Sequence, residues 1–478
     1  MSTKKVRKIK VIKSKKKYNT KGLYSLFGFG VLLTGLFALL FVNSSSSFSN
    51  SGFSYAQTCS QGAPSSATDY FRLFNIHNDQ WSGADGGRSV KLPDGRLMWL
   101  WSDTLIGPLN TDGSRGNFYL TNNSAFVQDK GCISVLNGPM SGGKRTSWIV
   151  PPSKYGSDRF YWLGDSFIEA GKLKIFLHRY QTTQVFPAFQ GVDIGTLDTS
   201  GTPRLVSIDD TPSSNIGGDK AVQWGNAILP QSDFVYIYGT SAPDPKAGRE
   251  LRVARAPVGQ ISNGASWTFW NGSNWGTNQS SAVNLIPPAQ NLSMGISVTA
   301  VTNRSYKFIM VSKELEFLGN KALAWTADNP QGPWTVQTPL YVIPDPNLEY
   351  GTKQATTYLA LIHPEIPMAS GKILLSYSMN SLAPNFGEVN KYGNLYNLRF
   401  VEVDLPGGSA NPGPNRVEPT LVCLGGVPCD SPNPTQSGGT TANPSPSTAQ
   451  SSGSGSFLAL LLQLFQQIFT LIMGAFKK

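Results

Sequence analysis

Asp85, Asp165 and Glu365 are the residues of this chain best placed for acid–base chemistry. Each stands at or just upstream of a recurring hairpin, in sequence that is otherwise apolar, where an unpaired carboxylate is costly to bury. Two carboxyl groups converging on one bond can divide a hydrolysis, one protonating the leaving oxygen and the other activating water. Groups suited to hold a polar substrate lie close by in sequence. Arg88 follows Asp85 by three residues, Asp219 precedes the third hairpin in Gly217-Gly-Asp-Lys, Asn226 opens that hairpin, and His363 stands two residues before Glu365. Trp81, Trp162 and Trp224 offer faces for stacking, although core packing is the expected role of at least two of them. The competing role for the acids is structural: pairing with Arg88, Arg179 or backbone amides to tie sheets together. Asp94, in Asp-Gly, forms a turn. Asp103, in Trp101-Ser-Asp-Thr, could reach the funnel but reads first as a loop or cap residue, and His178 as a structural strand end.

The elements that would position these groups recur five times. Residues 89–101, 165–177, 226–238, 297–310 and 365–377 each read as an apolar strand, a tight turn and a second strand rich in Tyr, Trp, Phe, Ile and Val. Their turn centres, Gly95, Gly171, Ser232, Arg304 and Gly371, are 76, 61, 72 and 67 residues apart. A unit of that size holds a four-stranded sheet with loops, so the expected fold is an all-β, five-bladed propeller over residues 69–406. A two-sheet sandwich would not need five similar hairpins. Residues 251–256 and 322–326 are outer strands, and 70–74 is expected to pair as a strand with 398–403 to close the ring. Six residues before each turn centre lie Ser89, Asp165, Asn226, Val298 (beside Ser297) and Glu365, a level expected to open the inner strands and face an axial funnel.

Composition excludes several function classes. The 49 Gly and 32 Pro, with 11% aromatic and 14% charged residues, argue against a helical protein. Four Cys and three His leave little room for zinc, iron–sulfur or haem sites. No cofactor is expected: an axial calcium is compatible with the pattern, but no Asp-rich loop demands one. The net charge of +11 belongs to the tails. Residues 1–22 hold ten Lys and Arg, and Lys477 and Lys478 two more, which leaves 28 against 29 Asp and Glu in the body. A nucleic-acid surface is therefore not indicated.

The tails read as membrane-directed. The basic segment 1–22 precedes an uncharged apolar stretch, 23–42, long enough to cross a bilayer, with the basic end held inside. The alternative is a cleaved signal ending near Ser54-Tyr55-Ala56. A Ser-rich linker fills 43–68, and a Pro/Gly/Ser-rich linker fills 407–456. The apolar helix expected at 457–476 carries one polar stripe, Gln463, Gln466, Gln467, Thr470 and Gly474, suited to membrane insertion and self-association. The body is thus expected outside the cytoplasm, tethered to the cell membrane, or secreted if the signal is cleaved and the last helix stays out of the bilayer. Of three connectivities for four cysteines, Cys59–Cys132 with Cys423–Cys429 is the simplest in an oxidising compartment.

Together, Asp85-Gly-Gly-Arg-Ser-Val-Lys-Leu-Pro-Asp-Gly-Arg-Leu-Met-Trp-Leu-Trp-Ser-Asp-Thr104, Tyr161-Trp-Leu-Gly-Asp-Ser166, Val222-Gln-Trp-Gly-Asn-Ala227 and Leu251-Arg-Val-Ala-Arg255 resemble a bacterial family of uncharacterised secreted domains. That family is related to five-bladed propeller glycoside hydrolases, including endo-D-arabinanases and the arabinanase/xylosidase and fructosidase clans. The resemblance covers most of 75–405. It implies an axial Asp on blade one acting as base or nucleophile, with further carboxylates on later blades, and Asp85 and Asp165 match such positions. Where arabinanases and fructosidases carry an acid Glu on blade three, this chain has Asn226, which leaves Glu365 or Asp219 as the general acid. The implied function is hydrolysis of a cell-surface or environmental polysaccharide of furanoside, arabinan-like type. The alternative, which Asn226 favours, is a non-catalytic carbohydrate-binding or adhesion propeller. Two other motifs fail on inspection. Gly164-Asp-Ser-Phe lacks the Asp-x-x-His that lipase-like esterases need, and Gly138–Lys144 is followed by Arg145 where a phosphate loop has Ser or Thr.

Overall fold

The alternating patterns fold into antiparallel sheets in a computed structural model that describes residues 57–60, 62–183, 187–244, 247–383 and 386–407, with the backbone of 422–423 and 427–428. Among these residues, five large sheets each begin with an inner hairpin. The inner strands are Gly83–Lys91, Arg159–Glu169, Gln223–Pro230, Leu292–Ala300 and Ala355–His363. They pair with Leu97–Ile106, Lys172–Gln181, Phe234–Ser241, Phe308–Glu314 and Ile373–Ser381. Third strands follow at Ser124–Asp129, Ala188–Asp198, Glu250–Pro257, Lys321–Ala327 and Leu398–Val403. Each inner strand neighbours the next, and the fifth neighbours the first. This is the expected five-bladed propeller, and the outer strands 250–257 and 321–327 fall where the sequence placed them.

Apolar burial is divided among the seams between blades. Tyr161 and Leu177 pack with Leu100 and Val127 between blades one and two, and corresponding clusters fill the other four seams. The seam between the last and first blades is sealed differently from expectation. Residues 70–74 do not pair as a strand; they belong to the helix Ala67–Leu73 and its C-cap Phe74. Ser66 and Asp69 form a reciprocal capping box that starts the helix. Ala67, Tyr70, Leu73 and Phe74 share one face at helical spacing, and that face outweighs the strand propensity of the aromatics. Phe74 meets Trp99 at 4.7 Å and Phe400 at 5.5 Å, and the Ala67 amide donates to Glu402 at 2.9 Å. Upstream, Gln57–Cys59 adds a strand to the outer edge of blade one, where Cys59 and Cys132 form the expected disulfide. The segment before blade one thus grips both sides of the closing seam.

All five inner hairpins share one irregularity. Each has a register shift in its inner strand, early on blades one, three and four and at mid-strand on blades two and five: near Gly86, Gly164, Gly225, Ser293–Gly295 and Leu359. Such bulges bend a strand and re-aim its side chains. At Gly87, with φ +69°, an added Cβ would fall 2.2 Å from the Leu398 side chain, so only glycine fits.

Among the described residues, no helix is long and apolar enough to cross a membrane. The basic tail, both apolar segments and the side chains of Cys423 and Cys429 lie outside the described residues.

Candidate active site

Asp85 is the third residue of its strand and sits at the bulge of blade one. The Tyr358 hydroxyl, from the inner strand of blade five, donates to Asp85 Oδ2 at 2.8 Å. Asp85 Oδ1 is buried without a hydrogen-bond partner. Asp103 arrives beside it from the second strand of the same hairpin, bracketed by the pairs Ala84–Thr104 and Gly86–Trp101. Trp162 Nε1 donates to Asp103 Oδ1 at 2.8 Å, and Asn122 Nδ2 lies at 3.3 Å from the same atom. Burial raises the Asp85 carboxyl from its ordinary 3.8 to about 6, against the pull of the Tyr358 and Tyr396 hydroxyls. Burial, with the Asp85 charge added to it, raises Asp103 to about 7. Two such neighbours titrate as a unit, and near neutral pH the pair holds about one proton between them.

From this pair a chain of contacts runs around the mouth of the funnel through every blade. Trp162 packs on Tyr180 with ring centres 4.4 Å apart, and Gln223 Nε2 donates to the Tyr180 hydroxyl at 2.9 Å. That hydroxyl meets Met294 Sδ at 3.9 Å, and the Met294 amide donates to Glu316 Oε1 at 2.8 Å. Phe317, next to Glu316, packs on Tyr358 at 5.0 Å, which returns the circuit to Asp85.

The residues six before each turn centre fall at different points of their strands. The inner strands have eight to eleven residues and the turns differ in length, so the count lands mid-strand at Asn226, fourth of eight, and late in or beyond the strand elsewhere. Ser89 is the seventh of nine residues in its strand, Asp165 the seventh of eleven, and Glu365 lies beyond the end of Ala355–His363. Their bonds cross between blades. Asp165 Oδ2 accepts from the Ile228 amide at 2.7 Å, and Arg88 donates to the Ile296 carbonyl at 3.0 Å. Ser89 Oγ meets both Glu365 Oε1 and His363 Nδ1, and His363 Nε2 lies 2.8 Å from Ser376 Oγ. Burial and the Asp165 charge raise Glu365 to about 7, with Ser89 opposing. Burial and the Arg88 charge lower His363 to about 3, which keeps the imidazole neutral. Burial also raises Asp165, and Arg88 opposes it. The structure therefore brings Asp165 and Glu365 together with Arg88, and it brings Asp85 together with Asp103.

The remaining sequence candidates divide by burial. Trp81 and Trp224 are completely buried, Trp81 against Trp101 and Phe126, and Trp224 against Phe269, so neither offers a stacking face. Asn226 does not stand free at the axis: its amide donates to the Gln223 carbonyl and Thr240 Oγ1. Asp219 is exposed in a loop before blade three. His178 is structural, with Nε2 at 2.9 Å from the Trp224 carbonyl. At the mouth, Asp103 stands where the sequence favoured a loop or cap residue, and Tyr180, Arg249, Glu316 and Tyr358 are residues it did not single out. Asp103 carried the clearest signal, as a carboxylate interrupting an apolar ten-residue strand. Among the described residues, no three His, Cys, Asp or Glu converge into a metal site.

A family model described as "Domain of unknown function (DUF5005)" matches residues 67–404. The chain belongs to this family. The DUF5005 match begins at the first residue of the sealing helix, so that helix is part of the domain. No curated protein matches the chain. Among solved structures, a "putative hydrolase" from Bacteroides ovatus ATCC 8483 is 21% identical with a TM-score of 0.58, over 71% of this chain and 89% of that one. It shares the fold. Weaker likenesses include the GH43_1 enzyme from Xanthomonas citri complexed with xylotriose, 14% identical with a TM-score of 0.38, over 70% and 92% of the two chains. A GH62 α-L-arabinofuranosidase catalytic domain from Coprinopsis cinerea is 12% identical with a TM-score of 0.39, over 73% and 96%.

Proposed function

We propose that this DUF5005 propeller is an extracytoplasmic glycoside hydrolase acting on polysaccharide at the funnel mouth. The observation that carries the reading is the Asp85–Asp103 pair, held in one hairpin with raised pKa values at the rim of a five-blade ring. Hydrolysis adds water across the glycosidic C–O bond: the leaving oxygen gains a proton and the anomeric carbon gains hydroxyl. A carboxyl pair holding one proton near neutral pH has both forms available, with Asp85 as base or nucleophile and Asp103 as its proton-holding partner. Asp165 and Glu365 then serve as ties between blades. The substrate is a furanoside-rich or related envelope or environmental glycan. The Cys59–Cys132 disulfide supports an oxidising compartment, and the apolar segments 23–42 and 457–476 would tether the propeller to the membrane from either end. The deciding test is reducing-sugar release by the full chain against furanosidic and pyranosidic polysaccharides, beside Asp85→Asn and Asp103→Asn. Release that vanishes in both variants at undiminished stability supports the reading, and release unchanged in both overturns it.

A second reading, a glycan-binding propeller without catalysis, rests on Asn226. Its amide is committed to Gln223 and Thr240, so blade three supplies no acid at that position. Binding that survives Asp85→Asn and Asp103→Asn, with no release from any glycan, would select this reading.

A further inference from the structure

The mouth carries another charged pair that the proposed hydrolysis does not use. Glu316 lies in the loop after the second strand of blade four, and Arg249 just ahead of the third strand of blade three. Arg249 Nε donates to Glu316 Oε1 at 2.5 Å and the Met294 amide donates to the same atom at 2.8 Å, while Oε2 takes part in neither bond. The side chains keep 22% and 31% of their exposure. In the circuit of contacts around the rim, Glu316 is separated from the Asp85–Asp103 pair by Phe317 and Tyr358 on one side and by Met294, Tyr180 and Trp162 on the other. The charges of Arg249, Glu316 and Asp103 all act on the Tyr180 hydroxyl, so the two charged pairs share one rim.

The loop that presents Glu316 is held in a costly shape. Leu315 and Glu316 both take left-handed backbone angles, φ +46° and +49°, which residues with a Cβ adopt only at a cost. A fully buried lysine offsets that cost. Lys313 Nζ donates to the carbonyls of Glu314 and Glu316, each at 3.2 Å, and to that of Gly319, while Ser293 Oγ accepts from the Glu316 amide at 2.6 Å. Burial lowers Lys313 to about 8. The same loop turns Phe317, 39% exposed, toward the mouth beside Tyr358. Strain fixed by a buried cation, at a partly exposed charge and a partly exposed aromatic ring, is the pattern of a recognition element.

We propose that Glu316 and Arg249 form the hydroxyl-recognition wall of this site and select a neutral sugar with free neighbouring hydroxyls, its ring lying against Phe317. The inference rests on the glycan reading above and names what that site accepts. The Glu316 carboxylate accepts a hydrogen bond from one sugar hydroxyl, and the Arg249 guanidinium donates to the oxygen of the next. Their opposite charges cancel, so the wall offers no net attraction to an acidic sugar. Titration calorimetry of the full chain in an Asp85→Asn background, where turnover is blocked, tests this with α-1,5-arabinotriose, β-1,4-xylotriose and β-1,3-galactotriose. Adding Glu316→Gln, an isosteric change, raises the dissociation constant of the bound trisaccharide about tenfold, the factor for one charged hydrogen bond. Adding Phe317→Ala, a change at an exposed residue that cannot unfold the blade, weakens binding by about five- to tenfold. Unchanged affinity in both variants overturns the wall while leaving the glycan reading standing. A background protein that binds none of the three sugars overturns the glycan reading, and the wall with it.

Discussion

Replacing Asp103 by Asn is expected to stabilise the protein at pH 8 and leave it unchanged at pH 4. In the unfolded chain this carboxyl ionises near its ordinary 3.8, but in the folded protein it holds its proton up to about 7. Between those limits the folded state binds more protons, so stability falls as pH rises, and the loss is complete once pH has passed through about 7. Three pH units correspond to about 4 kcal/mol. The carboxyl lines a mouth that solvent reaches, and halving the figure for screening leaves about 2 kcal/mol. Asn cannot ionise, yet it keeps an oxygen for Trp162 Nε1, the 2.8 Å bond of the native residue. Urea unfolding at the two pH values measures the difference directly, with activity assayed in parallel. Activity should vanish as stability rises, because a carboxyl held against its own ionisation is a cost that function tolerates. A variant less stable than the native protein at pH 8 would refute the argument and make Asp103 a structural tie.

Three further outcomes follow from named contacts. Tyr358→Phe removes the 2.8 Å bond that favours ionised Asp85, so the Asp85 titration should move above about 6, read as an upward shift of the acid limb of the pH–activity profile. Asp165→Ala breaks the tie to the Ile228 amide and leaves Arg88 without its nearby charge, and should cost about 2–4 kcal/mol in urea unfolding; activity lost at unchanged stability would instead return Asp165 to the catalytic set. Cys59→Ser with Cys132→Ser opens a loop closed across 73 residues and should cost about 4 kcal/mol by loop entropy, measured by thermal melting against the oxidised protein.

The propeller was legible because its evidence is local and repeated. Five turns at similar spacing mark five hairpins whatever the tertiary context, and four lie where their alternating strands placed them; on blade five the inner strand is Ala355–His363, and residues 364–372, expected to open the hairpin, form its turn. The failure at residues 70–74 shows the limit of propensity. Aromatic content argued for a strand, but Ser66 and Asp69 cap a helix whose three-residue spacing buries Tyr70 and Leu73 together. Both signals are present in the sequence, and the ring, which needs a plug for the seam between blades five and one, decides between them.

The site was half legible for a reason of the same kind. Counting back from turns gathered Ser89, Asp165 and Glu365, whose hydrogen bonds cross between blades. Asp85 was reached through its place just ahead of the first hairpin and through the family resemblance, and the structure sets it at a bulge inside the inner strand. Asp103 shares its hairpin, so the separation of the two carboxyls is set by local register and survives any small shift between blades. Tyr358, Met294, Arg249 and Glu316 arrive from three other blades, and no periodicity in the chain announces their meeting. The bond from Tyr358 to Asp85 crosses the seam that the 67–73 helix and the Cys59–Cys132 bridge hold shut. The carboxyl pair is thus assembled by one hairpin, while its electrostatic tuning and the wall on the same rim depend on ring closure. This division explains why a sequence can reveal the acids of such a funnel well before it reveals what the funnel admits.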